Sequence, residues 1–155
     1  MTRDELAAAL EDLALRGNHI VVHSSLSHFG HVEGGAATVC DVLMKAVGRE
    51  GTILMPAFTY AETLPEPTGR DGEEPSTPTP FHFDLPVSQE IGAIPETFRR
   101  LPGVIRSNHP THSFAAWGRH ARHCLASHRD NNALGPLKKL HVMQGQVLMM
   151  GTTLR

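Results

Sequence analysis

Apolar positions along the chain follow two periods in turn. Leu6, Leu10 and Leu13 recur at helical spacing behind Thr2 and Glu5, which form a capping-box pair, and Gly17 offers a left-handed stop. The run 19–23, centred on Ile20, Val21 and Val22, reads as a buried strand. A Ser/Gly-rich stretch follows. Then Val39, Val42, Leu43, Ala46 and Val47 give one apolar face to a helix over 36–47, closed by Gly48. Residues 51–56 form a second short strand, continued by Phe58, Thr59 and Tyr60.

Beyond Tyr60 the pattern breaks. Residues 61–80 carry five prolines and four glutamates, and a loop of this length inside one domain reads as a flexible insertion. Residues 81–86 return to apolar character. Ser88 is placed to cap a helix over 89–100, but Pro95 interrupts it. A turn at Gly92 and Ala93 with a new helix holding Pro95 in its first turn resolves the conflict, with Phe98 and Leu101 facing inward. Pro102-Gly103 makes a turn. The apolar run 114–117 is a buried strand ending on Gly118. A helix over 119–128 puts Cys124 and Leu125 on its apolar side. A turn at Gly135-Pro136 opens a short helix, and 147–150 forms a last buried strand. Strands alternate with helices, so the fold class is α/β: a three-layer α/β/α sandwich around a mixed, mostly parallel sheet, as one domain over 1–155.

Composition narrows the function. The chain has 155 residues, 40% hydrophobic and 19% charged, with a net charge of −2. That is enough for a real core and gives no basic surface for nucleic acid. No apolar run reaches the roughly 18 residues of a membrane span, and the N-terminus lacks a signal core, so a cytoplasmic protein is expected. Cys40 and Cys124 have no metal-type spacing and read as reduced, packed thiols.

Two stretches carry candidate chemistry. The first is strand, Ser/Gly-rich loop, helix, from His23 through Ser24, Ser25, Leu26 and Gly30. It offers hydroxyls and backbone N–H groups at a strand end ahead of a helix, suited to phosphate or carbonyl oxygens. It lacks a P-loop lysine and a GxGxxG pattern, so no nucleotide motif is present. The second is 106–118, in which His109 and His112 flank Pro110 in a polar run before a buried strand. Imidazoles in such a loop can move a proton near neutral pH.

The pattern Arg106-Ser107-x-His109-Pro110-x-x-Ser113-x-Ala115-Ala116-x-Gly118 resembles the signature of the aminoglycoside 3-N-acetyltransferase family. Four further stretches agree in order and spacing: Val22 to Leu26 with Gly30, Gly51 to Pro56, Phe83-Asp84 through Gly92 to Arg99, and Leu148 to Thr153. The resemblance implies the same α/β fold and transfer of acetyl from acetyl-coenzyme A to an amine of an aminoglycoside-like acceptor, without a metal. It implies His109 as proton-handling group and Asp84 as an orienting or acceptor-binding carboxylate. Ser24, Ser25, Leu26 and Gly30 would hold the cofactor, joined by Thr52, Arg106 and Ser107. The acidic insertion suits a polycationic acceptor. The chain stops where family members continue into a stretch with a histidine and a glutamate. A C-terminally truncated domain, a poor enzyme alone and prone to homo-oligomer formation, is therefore expected. Two other classes fit the residues: a binding module that only holds coenzyme A, and a metal protein using His109, His112, His120 and His123.

Overall fold

The computed structural model describes residues 1–64, 79–126 and 128–152. Five strands form one sheet in the order β3-β4-β2-β1-β5. They are β1 His19–Ser24, β2 Thr52–Pro56, β3 Ile105–Arg106, β4 Phe114–Gly118 and β5 Gln146–Met150. β1 pairs in parallel with both β2 and β5, whereas β4 runs antiparallel to β2 and to β3. The sheet is thus mixed, with β4 alone reversed.

Period-two alternation divides the sheet into two buried faces. Ile20, Val22, Ile53, Met55, Ala115 and Trp117 face one way, under α1 Arg3–Glu11, α2 Gly35–Val47 and α4 Ala93–Phe98. Val21, Leu54, Phe114 and Ala116 face the other way, under α5 Ala121–Leu125 and α6 Gly135–Val142. This is the three-layer arrangement. The continuous apolar runs of β1 and β2 follow from it, because both faces are covered. Burial raises the Cys40 thiol to about 12 and the Cys124 thiol to about 11, so both stay protonated at neutral pH.

Thr2 and Glu5 form the expected capping box. The first helix, however, ends at Glu11, six residues before Gly17. Ala14 takes a positive φ of 48° there. This turn buries Leu15 and leaves Leu13 half exposed. Gly92 and Pro95 act as expected, closing a 3-10 turn Gln89–Ile91 and opening α4, but Ser88 makes no side-chain cap. α5 stops at Leu125, short of the expected helix end. β5 is not fully buried: Val147 is 60% exposed and Met150 is its one buried residue. Among the described residues it lies at the sheet edge, paired with β1. After Pro56 the chain enters the short helix α3 Tyr60–Thr63, and most of the expected flexible insertion lies outside the described residues.

Gly118 ends β4 with φ of 101°, and a Cβ there would come within 2.2 Å of the Gly51 carbonyl oxygen. The close approach fixes the end of the β2–β4 ladder and makes glycine the residue that fits.

Candidate active site at one end of the sheet

Three parallel strands, β1, β2 and β5, finish at the same end of the sheet. Because β4 is reversed, the loop before it arrives there too. Main-chain bonds fasten these segments together: Ser25 N–H donates to the Met150 carbonyl at 2.9 Å, Ala57 N–H to that of Ser113 at 2.8 Å, and Thr59 N–H to that of Thr111 at 2.9 Å. In an α/β sheet, ligands bind outside such carboxyl ends. A cleft of about 200 Å³ opens here, its lining including His23, Ser24, Pro56, Glu90 and Thr152.

The loop after β1 holds the polar groups with least commitment. Among the described residues the buried Ser24 hydroxyl has no hydrogen-bond partner. Such a group costs free energy unless something bonds to it. The Ser25 hydroxyl lies 2.6 Å from His28 Nδ1 and 3.1 Å from the Ser27 hydroxyl. Leu26 packs on the core, and Gly30, exposed, takes φ of 69° to close the 3-10 turn Leu26–Phe29. A Cβ on Gly151, where φ is 66°, would fall 2.6 Å from the Ser25 carbonyl oxygen, so the chain leaving β5 is pressed against this loop.

The loop before β4 spends the polar groups of Arg106, Ser107 and Ser113 on the protein itself. Arg106 donates from Nε to the Ser113 hydroxyl at 2.9 Å and from Nη2 to the Ala57 carbonyl at 2.8 Å. Its Nη1 serves the carbonyls of Phe83 at 2.9 Å and Leu85 at 2.5 Å. Ser113 passes its own hydrogen to the Ala57 carbonyl at 2.6 Å. Burial, with Arg99 close by, lowers the Arg106 guanidinium to about 10, which leaves it charged at neutral pH. Its charge and planar fork thus pin the 83–85 segment and the end of β2 to β3.

Two imidazoles stack beneath this loop. The His109 and His128 rings lie 4.6 Å apart at 24°, and each residue is 3% exposed. His128 Nε2 is 3.0 Å from the Ala133 carbonyl, which only accepts, so Nε2 carries the hydrogen. His128 Nδ1 then accepts from the Ser107 hydroxyl at 2.7 Å, and Ser107 Oγ accepts from the Phe114 N–H at 2.8 Å. Burial first, then the neighbouring His109, pushes His128 down to about 4. His109 is also lowered, by burial and then by His112, with Asp130 opposing through its carboxylate and backbone carbonyl. Both rings are therefore uncharged at pH 7.

The sequence-derived candidates separate into groups in space. Ser24, Ser25, Leu26 and Gly30 sit together after β1. Arg106 and Ser107 spend their polar atoms on the protein itself. Thr52 lies at the opposite end of β2, fully buried, with its hydroxyl accepting from the His120 N–H at 3.0 Å. Asp84 is exposed; its backbone carbonyl accepts from Arg99, and its carboxylate supports the charge of Arg106. Among the described residues no hydrogen bond or ring contact joins His109 to Ser24, Ser25 or Asp84. His128, which stacks on His109, is hidden in the sequence because helical periodicity makes it the end of a helix over 119–128, and no pattern marks Asp130, whose charge acts on His109. The histidines weighed as metal ligands are split as well. His19, His120 and His123 cluster at the far end of the sheet, with His19 and His120 rings 4.9 Å apart. Among the described residues no group of three or more His, Cys, Asp or Glu is arranged to hold a metal.

Fold and site together define a three-layer α/β protein with its candidate ligand site at the carboxyl ends of parallel strands. The chain belongs to the aminoglycoside 3-N-acetyltransferase family, whose model matches residues 21–155. It is 37% identical to the SPbeta prophage-derived aminoglycoside N(3')-acetyltransferase-like protein YokD of Bacillus subtilis, over 97% of this chain and 60% of that protein. The crystal structure of YokD superposes with a TM-score of 0.84 at 34% identity, covering 96% of this chain and 64% of that one. The structure described as AAC-IIIb binary with CoASH gives 0.77 at 31% identity, covering 96% and 59%. AAC-VIa bound to sisomicin gives 0.80 at 31% identity, with the same coverage. The chain spans about 60% of the length of the curated relatives it matches. Among the described residues no helix is long and apolar enough to cross a membrane.

Proposed function

We propose that this chain supplies the acetyl-coenzyme A side of an aminoglycoside 3-N-acetyltransferase, an activity that inactivates an aminoglycoside and confers resistance. In the reaction an amine of the acceptor attacks the thioester carbonyl. A nitrogen–carbon bond forms, the carbon–sulfur bond breaks, and the amine proton leaves as the thiolate is released. The amine is mostly protonated at pH 7, so a base must take a proton and donors must hold the oxyanion.

One observation carries the reading: a buried hydroxyl without a partner among the described residues, on Ser24, at the strand–loop–helix the family shares. A serine there fits an amide or carbonyl oxygen of the pantetheine arm. The coenzyme A complex of AAC-IIIb and the sisomicin complex of AAC-VIa support the choice of co-substrate and acceptor class. In this reading Ser24, Ser25, Leu26 and Gly30 contact the coenzyme, and Asp84, which is exposed, meets a cationic amine. Thr52, Arg106 and Ser107 hold the framework instead of touching ligand. A cytoplasmic location goes with this reading.

The test is coenzyme A titration followed by backbone amide shifts, together with thiol release from acetyl-coenzyme A in the presence of sisomicin. Shifts centred on 24–30 and aminoglycoside-dependent thiol release are expected. Binding that perturbs other segments and leaves this loop unchanged would show that the site is elsewhere.

A further inference from the structure

His109 is the residue the sequence marks for proton transfer, and its hydrogen bonds constrain what it can do. Its Nδ1 accepts from two backbone N–H groups at once, Thr111 at 3.2 Å and His112 at 3.0 Å. Both donors are fixed by the turn that Pro110 begins, so Nδ1 cannot carry a hydrogen while the turn is intact. In the uncharged ring the hydrogen then sits on Nε2. Among the described residues Nε2 is buried, with no partner in hydrogen-bonding geometry. One face of the ring is covered by His128, itself locked as the Nε2–H tautomer by Ala133 and Ser107.

We propose that His109 is a positioning residue, an uncharged Nε2–H donor wedged between the 107–113 and 128–133 segments, and that the proton of the acceptor amine is taken by another group. A base needs an open lone pair facing the substrate. The lone pair of His109 on Nδ1 is spent on two main-chain amides, and its other nitrogen already holds a hydrogen. Taking a further proton would require breaking both amide bonds and placing charge against an imidazole stacked on its face. The downward shifts of both histidines agree with this. The ring instead holds the turn at 109–112 through its acceptor and packs it, by stacking, on His128 of the segment that carries Asp130. The wedge sets the position of His112, whose ring packs 4.8 Å from Phe58 at the start of the segment leaving β2.

This assignment rests on the acetyltransferase reading for its catalytic meaning, whereas the tautomer stands without it. Histidine-ring 15N spectra of the wild-type protein at pH 7 should show a pyrrole-type Nε2 and a pyridine-type Nδ1 for His109. A hydrogen on Nδ1 would overturn the proposal. For transfer, His109→Asn keeps an oxygen where Nδ1 accepts, yet cannot take a proton. It should retain activity within about tenfold and keep the pH limb of kcat/KM where the wild type has it. A loss of about 100- to 10,000-fold with disappearance of that limb is the signature of a missing base and would refute the proposal. A wild-type protein that binds coenzyme A but transfers to no aminoglycoside would sink the functional reading, and the 15N spectra would still decide the tautomer.

Discussion

Two loops meet at one end of the sheet and are built in opposite ways. The loop before β4 spends nearly all of its polar groups on the protein, and among the described residues His109 Nε2 is its one buried group left unpaired. Arg106 serves three carbonyls and a hydroxyl, Ser107 links a backbone amide to an imidazole, and Ser113 bridges Arg106 to the end of β2. The loop after β1 bonds mostly within itself and holds one buried hydroxyl with no partner. Both are rich in the residue types associated with binding. What separates them is where the unpaired group lies: Ser24 lines the cleft, whereas His109 sits in the stack with His128, and the other groups of its loop pin the end of β2 and the 83–85 segment.

The contrast breaks most sharply at Arg106. Arg106→Ala should remove a donor from the carbonyls of Ala57, Phe83 and Leu85; Ala57 keeps Ser113 and Phe83 keeps Arg99, so the Leu85 carbonyl is left unpaired at about 1–3 kcal/mol, and the other lost bonds to a charged donor add to that. A loss of roughly 3 kcal/mol or more in urea unfolding is expected. Arg106→Lys should recover little of it, since an ammonium cannot span the same set. A variant within about 1 kcal/mol of wild type would mean the clamp carries little weight.

Acid tests the same loop. His128 titrates near 4 when folded and near 6.5 in an unfolded chain, so the unfolded state binds more protons between those values. Stability should be complete above about pH 6.5, fall as pH drops through that window, and level off below about 4. The expected loss is on the order of 2–3 kcal/mol. His128→Asn should flatten the profile across the window even though it is less stable overall. A wild-type profile that is flat between pH 4 and 6.5 would contradict the buried neutral ring.

The smallest effect belongs to the open loop. Ser24→Ala deletes a hydroxyl that bonds to nothing, so urea unfolding should change by no more than about 0.5 kcal/mol. Coenzyme A affinity should still fall roughly tenfold, the worth of one hydrogen bond. If stability drops and affinity does not, the hydroxyl has a structural partner and the two loops are less different than described.

Much of this was legible before any coordinates. Unbroken apolar runs at Ile20-Val21-Val22 and Ile53-Leu54-Met55 announce strands covered on both sides, and Gly92 with Pro95 announces a helix break. These signals are local, and local chemistry decides them. The fate of Arg106 is a different kind of question. Its partners come from residues 57, 83, 85 and 113, brought together by the reversal of β4, which no periodicity records. His128 is similar: it looks like the tail of a helix until α5 stops early and the chain turns back under His109. Thr52 lies at the end of β2 away from the cleft, a position that its motif does not reveal, because a motif fixes neighbours in sequence and not the end of the sheet that a side chain serves.

The pairing of β1 with β5 also bears on how the chain is made. Ile20 lies opposite Gln146 in that ladder, 146 − 20 = 126 residues further along. At a synthesis rate of about 5–20 residues per second, β1 waits on the order of 10 s for this neighbour. Over that interval Ile20, Val21 and Val22 have β2 on one side and an unpaired edge on the other. Such an edge recruits foreign strands, and non-local parallel pairing is slow to close. Nascent chains of this protein should therefore depend on chaperones most strongly after β2 has emerged and before β5 arrives.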